Sequence, residues 1–110
     1  MPTYLITYHG GPGMPTNPEE AEQMLAAFQA WAAEVGDAMR DPGAPLAAAR
    51  TVSTGSEVDG QKEAAISGYT VIEAASLDEA VQLVHSHPFL TRGGFLQVSE
   101  SVAVAHSADA

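Results

Sequence analysis

A His-Ser-His-Pro run at residues 85–88 is the segment of this sequence best suited to chemistry. Imidazole changes charge near neutral pH without help from its surroundings, so His87 is a candidate general acid or base. A structural role is the alternative, because His85 and His87 follow a predicted helix, whose negative end attracts a histidine. Two histidines two residues apart on a helix point to different sides and are a poor metal pair. We therefore take His87 as the candidate catalytic residue and predict no metal.

Three further polar side chains are candidates for ligand binding. Arg50 interrupts a predicted strand in a chain with 4 Lys+Arg, and it either binds a carboxylate or enolate or pairs with an acid such as Glu73 or Glu100. Tyr69 shares its strand parity with a serine, which fits a half-polar pocket or the seam of a dimer. His9 ends a strand before a glycine-rich loop and is either a binding group or a solvated strand end. All three are predicted to contact a substrate.

The large and basic side chains that remain have less specific patterns. Trp31 and Phe28 fall on the apolar stripe of the first predicted helix, which is typical of core packing, and Trp31 is kept as a candidate ligand contact. Arg92, beside Gly93 and Gly94, either closes over a ligand or solvates a loop. The GGPG loop has no lysine and no following Ser or Thr in the arrangement of a phosphate loop. We predict no cofactor.

The composition limits the classes of protein and partner. The chain of 110 residues is long enough for about one domain. Its formal net charge of -10 repels nucleic acid and anionic membrane surfaces. The chain has no cysteine, which excludes disulfides, thiolate catalysis and cysteine-bound zinc. The N-terminus does not have the pattern of a signal peptide, and no apolar stretch reaches the roughly 18 residues of a membrane span. We expect a soluble cytoplasmic protein with neither nucleic acid nor membrane as partner.

The residue pattern in the first half of the chain predicts one strand and one long helix. Alternating side chains at residues 3–9 predict the first strand. Asn17, Pro18 and Glu20 supply a cap, a first-turn proline and a carboxylate at the third helical position, which predicts a helix that begins at Pro18. This helix should weaken at Gly36 and end before residues 41–43, where proline and glycine follow each other.

The residue pattern in the second half of the chain predicts three strands and a short helix. Residues 48–54 include several β-branched side chains and predict the second strand, with a polar hairpin loop after it. Residues 65–74 predict the third strand. Ser76 and Glu79 form a capping box at the start of a second helix. The fourth strand follows two glycines and is predicted to reach Val104.

The order strand, helix, strand, strand, helix, strand predicts the ferredoxin-like βαββαβ arrangement of the α+β class. Both helices then cover one face of a four-stranded antiparallel sheet. Three strands carry apolar residues in both parities, so exposure of the other face to water would cost free energy. We expect a homodimer, sheet against sheet, in which each fully buried apolar side chain contributes roughly 1.5 to 3 kcal/mol before the cost of association. Residues 1–110 form a single domain in this prediction, with a disordered tail from about residue 105.

Four segments of the chain resemble the YCII-related family, also called DGPF-domain proteins: AFQAWAAEVGDAMRDPGAPL, AARTVS, GYTVIEAASLDEAVQLV and HPFLTRGGFLQVSE. Together they run from the first helix to the last strand. The resemblance implies a ferredoxin-like dimeric α+β barrel with a pocket between sheet and helices. It also implies, for some relatives, a dyad of a histidine in the first helix and an aspartate before the proline that follows the second helix. One branch of the family includes a dehydrochlorinase.

This sequence departs from the dyad of those relatives at both positions. Residues 18–39 contain no histidine, and His87 precedes Pro88 where those relatives carry aspartate. The dyad is therefore not carried over. Two hypotheses stay open. The protein is a dimer that binds a small organic ligand, with an anion as one option, and transfers a proton in an elimination or isomerisation. Alternatively, it is a non-catalytic binding or accessory regulatory module that keeps the fold without the dyad.

Overall fold

A computed structural model of the protein describes residues 1–10, 15–59 and 65–102. The helices and strands are β1 (Thr3–Gly10), α1 (Pro18–Val35), β2 (Met39–Pro45), β3 (Arg50–Ser53), β4 (Ser56–Asp59), β5 (Gly68–Glu73), α2 (Leu77–Val84) and β6 (Gly94–Glu100). Short 3-10 helices follow each α-helix, at Gly36–Ala38 and Pro88–Arg92. The predicted α+β class is confirmed.

The main sheet has four antiparallel strands in the order β2-β5-β1-β6. This order is that of the ferredoxin-like arrangement, as predicted. The core consists of side chains on one face of the central strands and of side chains from both helices. It includes Tyr4, Ile6 and Ile72 from the strands and Trp31, Val35, Ala80 and Val84 from the helices. Both helices therefore pack on the same face of the sheet, and they define the space in which a ligand can bind.

The helix starts predicted from capping residues are confirmed. The Asn17 side chain accepts a hydrogen bond from the Glu20 N–H at 2.7 Å, and Pro18 is the first residue of α1. Ser76 accepts from the Glu79 N–H at 3.1 Å, while the Glu79 carboxylate accepts from the N–H of Ala75 at 2.9 Å. Each cap satisfies backbone donors that the first helical turn leaves without an intrahelical partner.

The predicted second strand is wrong in position. Residues 48–54 were expected in the main sheet, but β3 pairs only with β4 in a separate two-stranded hairpin, and β2 takes the place beside β5. β2 contains Pro42 and Gly43, which were expected to interrupt regular structure. It tolerates them because it is an edge strand, and its register with β5 shifts twice along its length. The hairpin loop expected after residue 54 also contains β4.

α1 ends at Val35, a few residues before the predicted limit. Gly36 has φ 61° and ψ -130°, and its N–H bonds to the carbonyl of Ala32. The positive φ, which glycine adopts without a steric penalty, turns the chain out of the helix and toward β2.

The predicted extension of the last strand to Val104 and the predicted tail from about residue 105 lie outside the described residues. Within the described part of the chain, no helix is both long and apolar enough to cross a membrane.

Candidate functional site

A cavity of about 570 Å³ lies between the helix-bearing face of the sheet, α1 and the 3-10 helix Pro88–Arg92. α1 contributes apolar side chains that include Met24, Leu25 and Phe28, and β2 contributes a continuous stretch of backbone and side chains, residues 42–45, followed by Leu46. The volume and the largely apolar wall are typical of a site for a small organic molecule.

His87 lies in the wall of this cavity and is 3% exposed. Its Nδ1 accepts a hydrogen bond from the N–H of Phe89 at 3.0 Å, so the imidazole caps the start of the 3-10 helix. The ring also contacts Trp31, with 4.3 Å between ring centroids. The His87 imidazole thus caps the helix that follows it, whereas the structural alternative had placed it against the C-terminal end of α2. The contact of His87 with that end is made by its backbone N–H, which donates to the Val84 carbonyl at 2.9 Å.

A directed chain of hydrogen bonds connects His87 to the sheet. The Tyr8 phenol oxygen lies 2.7 Å from Nε2 of His87 and 2.7 Å from Oγ1 of Thr70, and the Thr70 hydroxyl donates to the Pro42 carbonyl at 2.9 Å. Because Nδ1 of His87 accepts from a backbone N–H, the neutral ring carries its proton on Nε2 and donates to Tyr8. Because Thr70 uses its own proton on Pro42, Tyr8 donates to Thr70. Every donor and acceptor along the chain is then matched.

Burial favours the uncharged forms of both His87 and Tyr8. Removal from water disfavours the imidazolium and lowers the pKa of His87 to about 4. Burial also raises the pKa of the Tyr8 phenol, an effect that the hydrogen bond with Thr70 opposes. At neutral pH the cavity wall therefore presents an uncharged phenol with an uncharged imidazole behind it. The imidazole is a hydrogen-bond donor to the phenol in this arrangement.

Arg92 is the last residue of the 3-10 helix and also lines the cavity. Its Nε is covered by protein atoms and meets no hydrogen-bond acceptor within the described residues. Arg40, by contrast, pairs with Glu73, whose carboxyl pKa it lowers through their hydrogen bond. Among the described residues, Arg92 in the cavity wall thus has fewer polar partners than Arg40 on the surface.

Arg50 and His9, two of the predicted ligand contacts, do not line the cavity. Arg50 lies on the β3–β4 hairpin with its side chain 65% exposed, and it pairs with Glu57 at 2.8 Å and Asp59 at 3.2 Å. His9 is buried, with Nδ1 donating to the Ala65 carbonyl at 3.1 Å and Nε2 accepting from the Thr7 hydroxyl at 2.8 Å. Both ring nitrogens of His9 therefore have partners inside the protein.

Tyr69 and Trp31, the other two predicted ligand contacts, have different positions relative to the cavity. Tyr69, in β5, is one of the residues that line the cavity. Trp31 is 3% exposed and donates from its indole N–H to the Leu83 carbonyl at 2.9 Å. It stands behind His87 as part of the core. The structure thus brings His87 and Tyr69 to one cavity and leaves Arg50 and His9 outside it.

Tyr8 is the residue of this site that sequence reasoning missed. It was assigned only to the alternation of the first strand. A signal was present, because Tyr8 shares the parity of Tyr4 and Ile6, which is the buried, helix-facing side of β1. A phenol on a buried face needs a hydrogen-bond partner. The same argument identifies Thr70, on the buried parity of β5.

Comparison with known families gives a match over most of the chain. The family model described as the YCII-related domain matches residues 4–101. A comparison with curated proteins finds no match. Among the described residues, no group of three or more histidine, cysteine, aspartate or glutamate side chains is placed to hold a metal ion.

Proposed function

This chain belongs to the YCII-related family, and we propose that it binds a small organic molecule in the cavity and transfers a proton to it, in an isomerisation or an elimination. The observation that carries this proposal is the 2.7 Å hydrogen bond between Tyr8 and His87 in the cavity wall. Two titratable groups within hydrogen-bond reach of each other, in the wall of one cavity, are a common mark of acid-base chemistry.

Tyr8 is the proton donor in this proposal. Burial raises the pKa of its phenol, so the group carries its proton at neutral pH, and the hydroxyl turns from Thr70 toward the ligand to give that proton up. When the proton leaves, Nε2–H of His87 stabilises the phenolate by a hydrogen bond that becomes charge-assisted. His87 is then a positioning residue for Tyr8, and its predicted role as general acid or base passes to the phenol.

Tyr8 alone gives the transferred proton and regains one in both reactions. In an isomerisation, the phenol gives its proton to one atom of the ligand, and the phenolate regains a proton from another atom of the same ligand. In an elimination, the phenol protonates the departing group, and the proton that leaves the adjacent carbon restores the phenol. Neither reaction draws on a metal, a nucleotide or a redox cofactor.

A non-catalytic binding or accessory module is the second candidate. The observation that favours it is the saturation of His87, whose two ring nitrogens are both occupied by protein groups. With a pKa of about 4, this imidazole is not a reservoir of protons at neutral pH. In this alternative, the hydrogen-bond chain only holds the cavity wall in place.

A homodimer through the open face of the sheet completes the proposal. That face carries the parity of Leu5, which is 40% exposed, together with its cross-strand partner Val71 and with Phe95, which is 56% exposed. A second copy of the same sheet presents the same apolar residues and removes them from water.

Proton transfer and simple binding can be separated with one ligand. A thermal-shift screen of small organic molecules first identifies compounds that stabilise the protein. Each compound is then incubated in D2O with the wild type and with Tyr8→Phe, and proton NMR follows deuterium entry at carbon. Catalysis predicts exchange that Tyr8→Phe abolishes while binding persists. Binding without exchange in the wild type would establish the non-catalytic alternative, and the absence of any ligand would remove both.

A further inference from the structure

The cavity has a charge of opposite sign to the rest of the chain. The protein contains 14 Asp+Glu against 4 Lys+Arg. None of those carboxylates is found among the described residues that line the cavity, whereas Arg92 is. The guanidinium keeps its charge at every accessible pH. An anion that enters the cavity therefore meets one fixed positive charge and no negative side chain of the described wall.

Arg92 differs from the other described arginines because it pairs with no carboxylate of the described residues. Arg40 pairs with Glu73, and Arg50 pairs with Glu57 and Asp59. The covered Nε–H of Arg92 has no acceptor among the described residues. A buried donor without a partner is destabilising. A ligand anion on the guanidinium neutralises the charge that the described carboxylates leave unpaired.

The surroundings of Arg92 indicate which anion fits. The guanidinium fork binds a carboxylate through two parallel hydrogen bonds. Arg92 is the single cation among the described lining residues, which suits an anion of one charge better than a phosphate. The rest of the wall is mostly apolar and includes Phe28, Met24 and Leu46. An apolar ligand body is stabilised against that wall by its removal from water.

Resting on the ligand binding proposed above, we infer that the ligand is a monocarboxylic acid with an apolar body, whose carboxylate binds Arg92. His87 precedes the 3-10 helix that Arg92 ends. At about 2 Å of rise per residue, the two positions lie about 10 Å apart along that helix. Tyr8, His87 and Arg92 all line the cavity, so one ligand can contact Arg92 and the Tyr8–His87 pair together.

Two acids and their uncharged amides test the assignment: 4-phenylbutanoate with 4-phenylbutanamide, and octanoate with octanamide. Calorimetric titration at pH 7.5 measures the Kd of each for the wild type, Arg92→Gln, Arg92→Lys and Arg50→Gln. At least one acid is expected to bind the wild type tenfold or more tightly than its amide. Arg92→Gln removes this preference, and Arg92→Lys, which keeps the charge without the fork, retains part of it. Circular dichroism verifies that each variant is folded.

Arg50→Gln is the matched control, because it removes the same charge from the hairpin outside the cavity. It is expected to leave the preference for the acid unchanged. Equal loss in Arg50→Gln and Arg92→Gln would make the preference an effect of net charge and overturn the assignment. Equal binding of acid and amide to the wild type would also overturn it, while the cavity would stand as a binding site. Absence of binding by all four compounds would overturn the cavity as a site for such molecules together with the assignment.

Discussion

The phenol oxygen of Tyr8 and Nε2 of His87 lie 2.7 Å apart, although 79 positions separate the two residues in the chain. β1 supplies Tyr8, and the residue that caps the 3-10 helix after α2 is His87. That 3-10 helix contacts β6, which pairs with β1, so the sheet fixes the distance between the two side chains. The same bond is therefore a feature of the candidate site and a link between the two halves of the fold.

The buried imidazole predicts a loss of stability in mild acid. The pKa of His87 is about 4 in the folded protein against 6.5 ordinarily, so the unfolded chain binds a proton first as the pH falls. The stabilisation is complete above pH 6.5, declines between pH 6.5 and 4, and is lost below that range. The full difference amounts to at most about 3 kcal/mol. Urea unfolding of the wild type and His87→Gln across this range measures it.

His85→Gln serves as the control for this prediction, since His85 is exposed at the end of α2. Carboxylates also titrate toward pH 4, but they do so in all three proteins. Only the difference in the free energy of unfolding between the wild type and His87→Gln should decline as the pH falls. A chemical-shift titration of His87 with a midpoint near 6.5 would contradict the neutral imidazole.

Removal of the Tyr8 hydroxyl is predicted to destabilise the fold. Tyr8→Phe leaves Nε2–H of His87 and Oγ1 of Thr70 without the partner they share. Loss of a buried partner costs roughly 1 to 3 kcal/mol. Tyr4→Phe is the comparison, because Tyr4 lies on the same face of β1 and is the more buried of the two, yet its hydroxyl makes no side-chain hydrogen bond with another described residue. Denaturant unfolding should show the smaller loss for Tyr4→Phe. Equal losses would mean that the hydrogen-bond chain contributes nothing.

The fold was predictable where side chains act locally. The caps at Asn17 and Ser76 are formed by residues three positions apart, and the strand parity of β1 depends on burial alone. Both signals are short-range, and both predictions are confirmed. The candidate site was less predictable, because His87 and Tyr8 become neighbours only through the pairing of distant elements. Sequence reasoning identified His87 as polar and well placed, but it had no means to find the partner.

The misplaced second strand has a different physical cause. Residues 48–54 carry β-branched side chains and pair with β4, so their local preference for extended structure is satisfied in a hairpin. β2 has weak strand preference and is held by its contacts with β5. Its position as an edge strand makes proline and glycine acceptable there. Tertiary pairing therefore overrides local preference in β2.

A methyl group at Gly43 is predicted to detach β2 from β5. Gly43 has φ +75°, and a Cβ on this residue would lie 1.6 Å from the carbonyl oxygen of Tyr69. Backbone atoms of a paired strand cannot move aside cheaply, so Gly43→Ala should cost at least about 3 kcal/mol or prevent folding. Gly55→Ala is the control, because Gly55 has φ +78° with nothing within 4 Å of its Cβ position. It should cost only about 1 to 2 kcal/mol. Similar unfolding midpoints for the two variants would contradict the close approach.

The open face of the sheet provides the test of the proposed dimer. Leu5 lies in a central strand, opposite Val71 on one side and Ser99 on the other. Leu5→Lys places a charge in the middle of the proposed interface, where it would be desolvated without a partner. Sedimentation velocity at micromolar concentration is expected to show a dimer for the wild type and a Kd at least about tenfold higher for Leu5→Lys. Val52→Lys is the matched change on the β3–β4 hairpin, where Val52 is 74% exposed. It should leave the dimer intact, and a monomeric wild type would remove the proposed interface altogether.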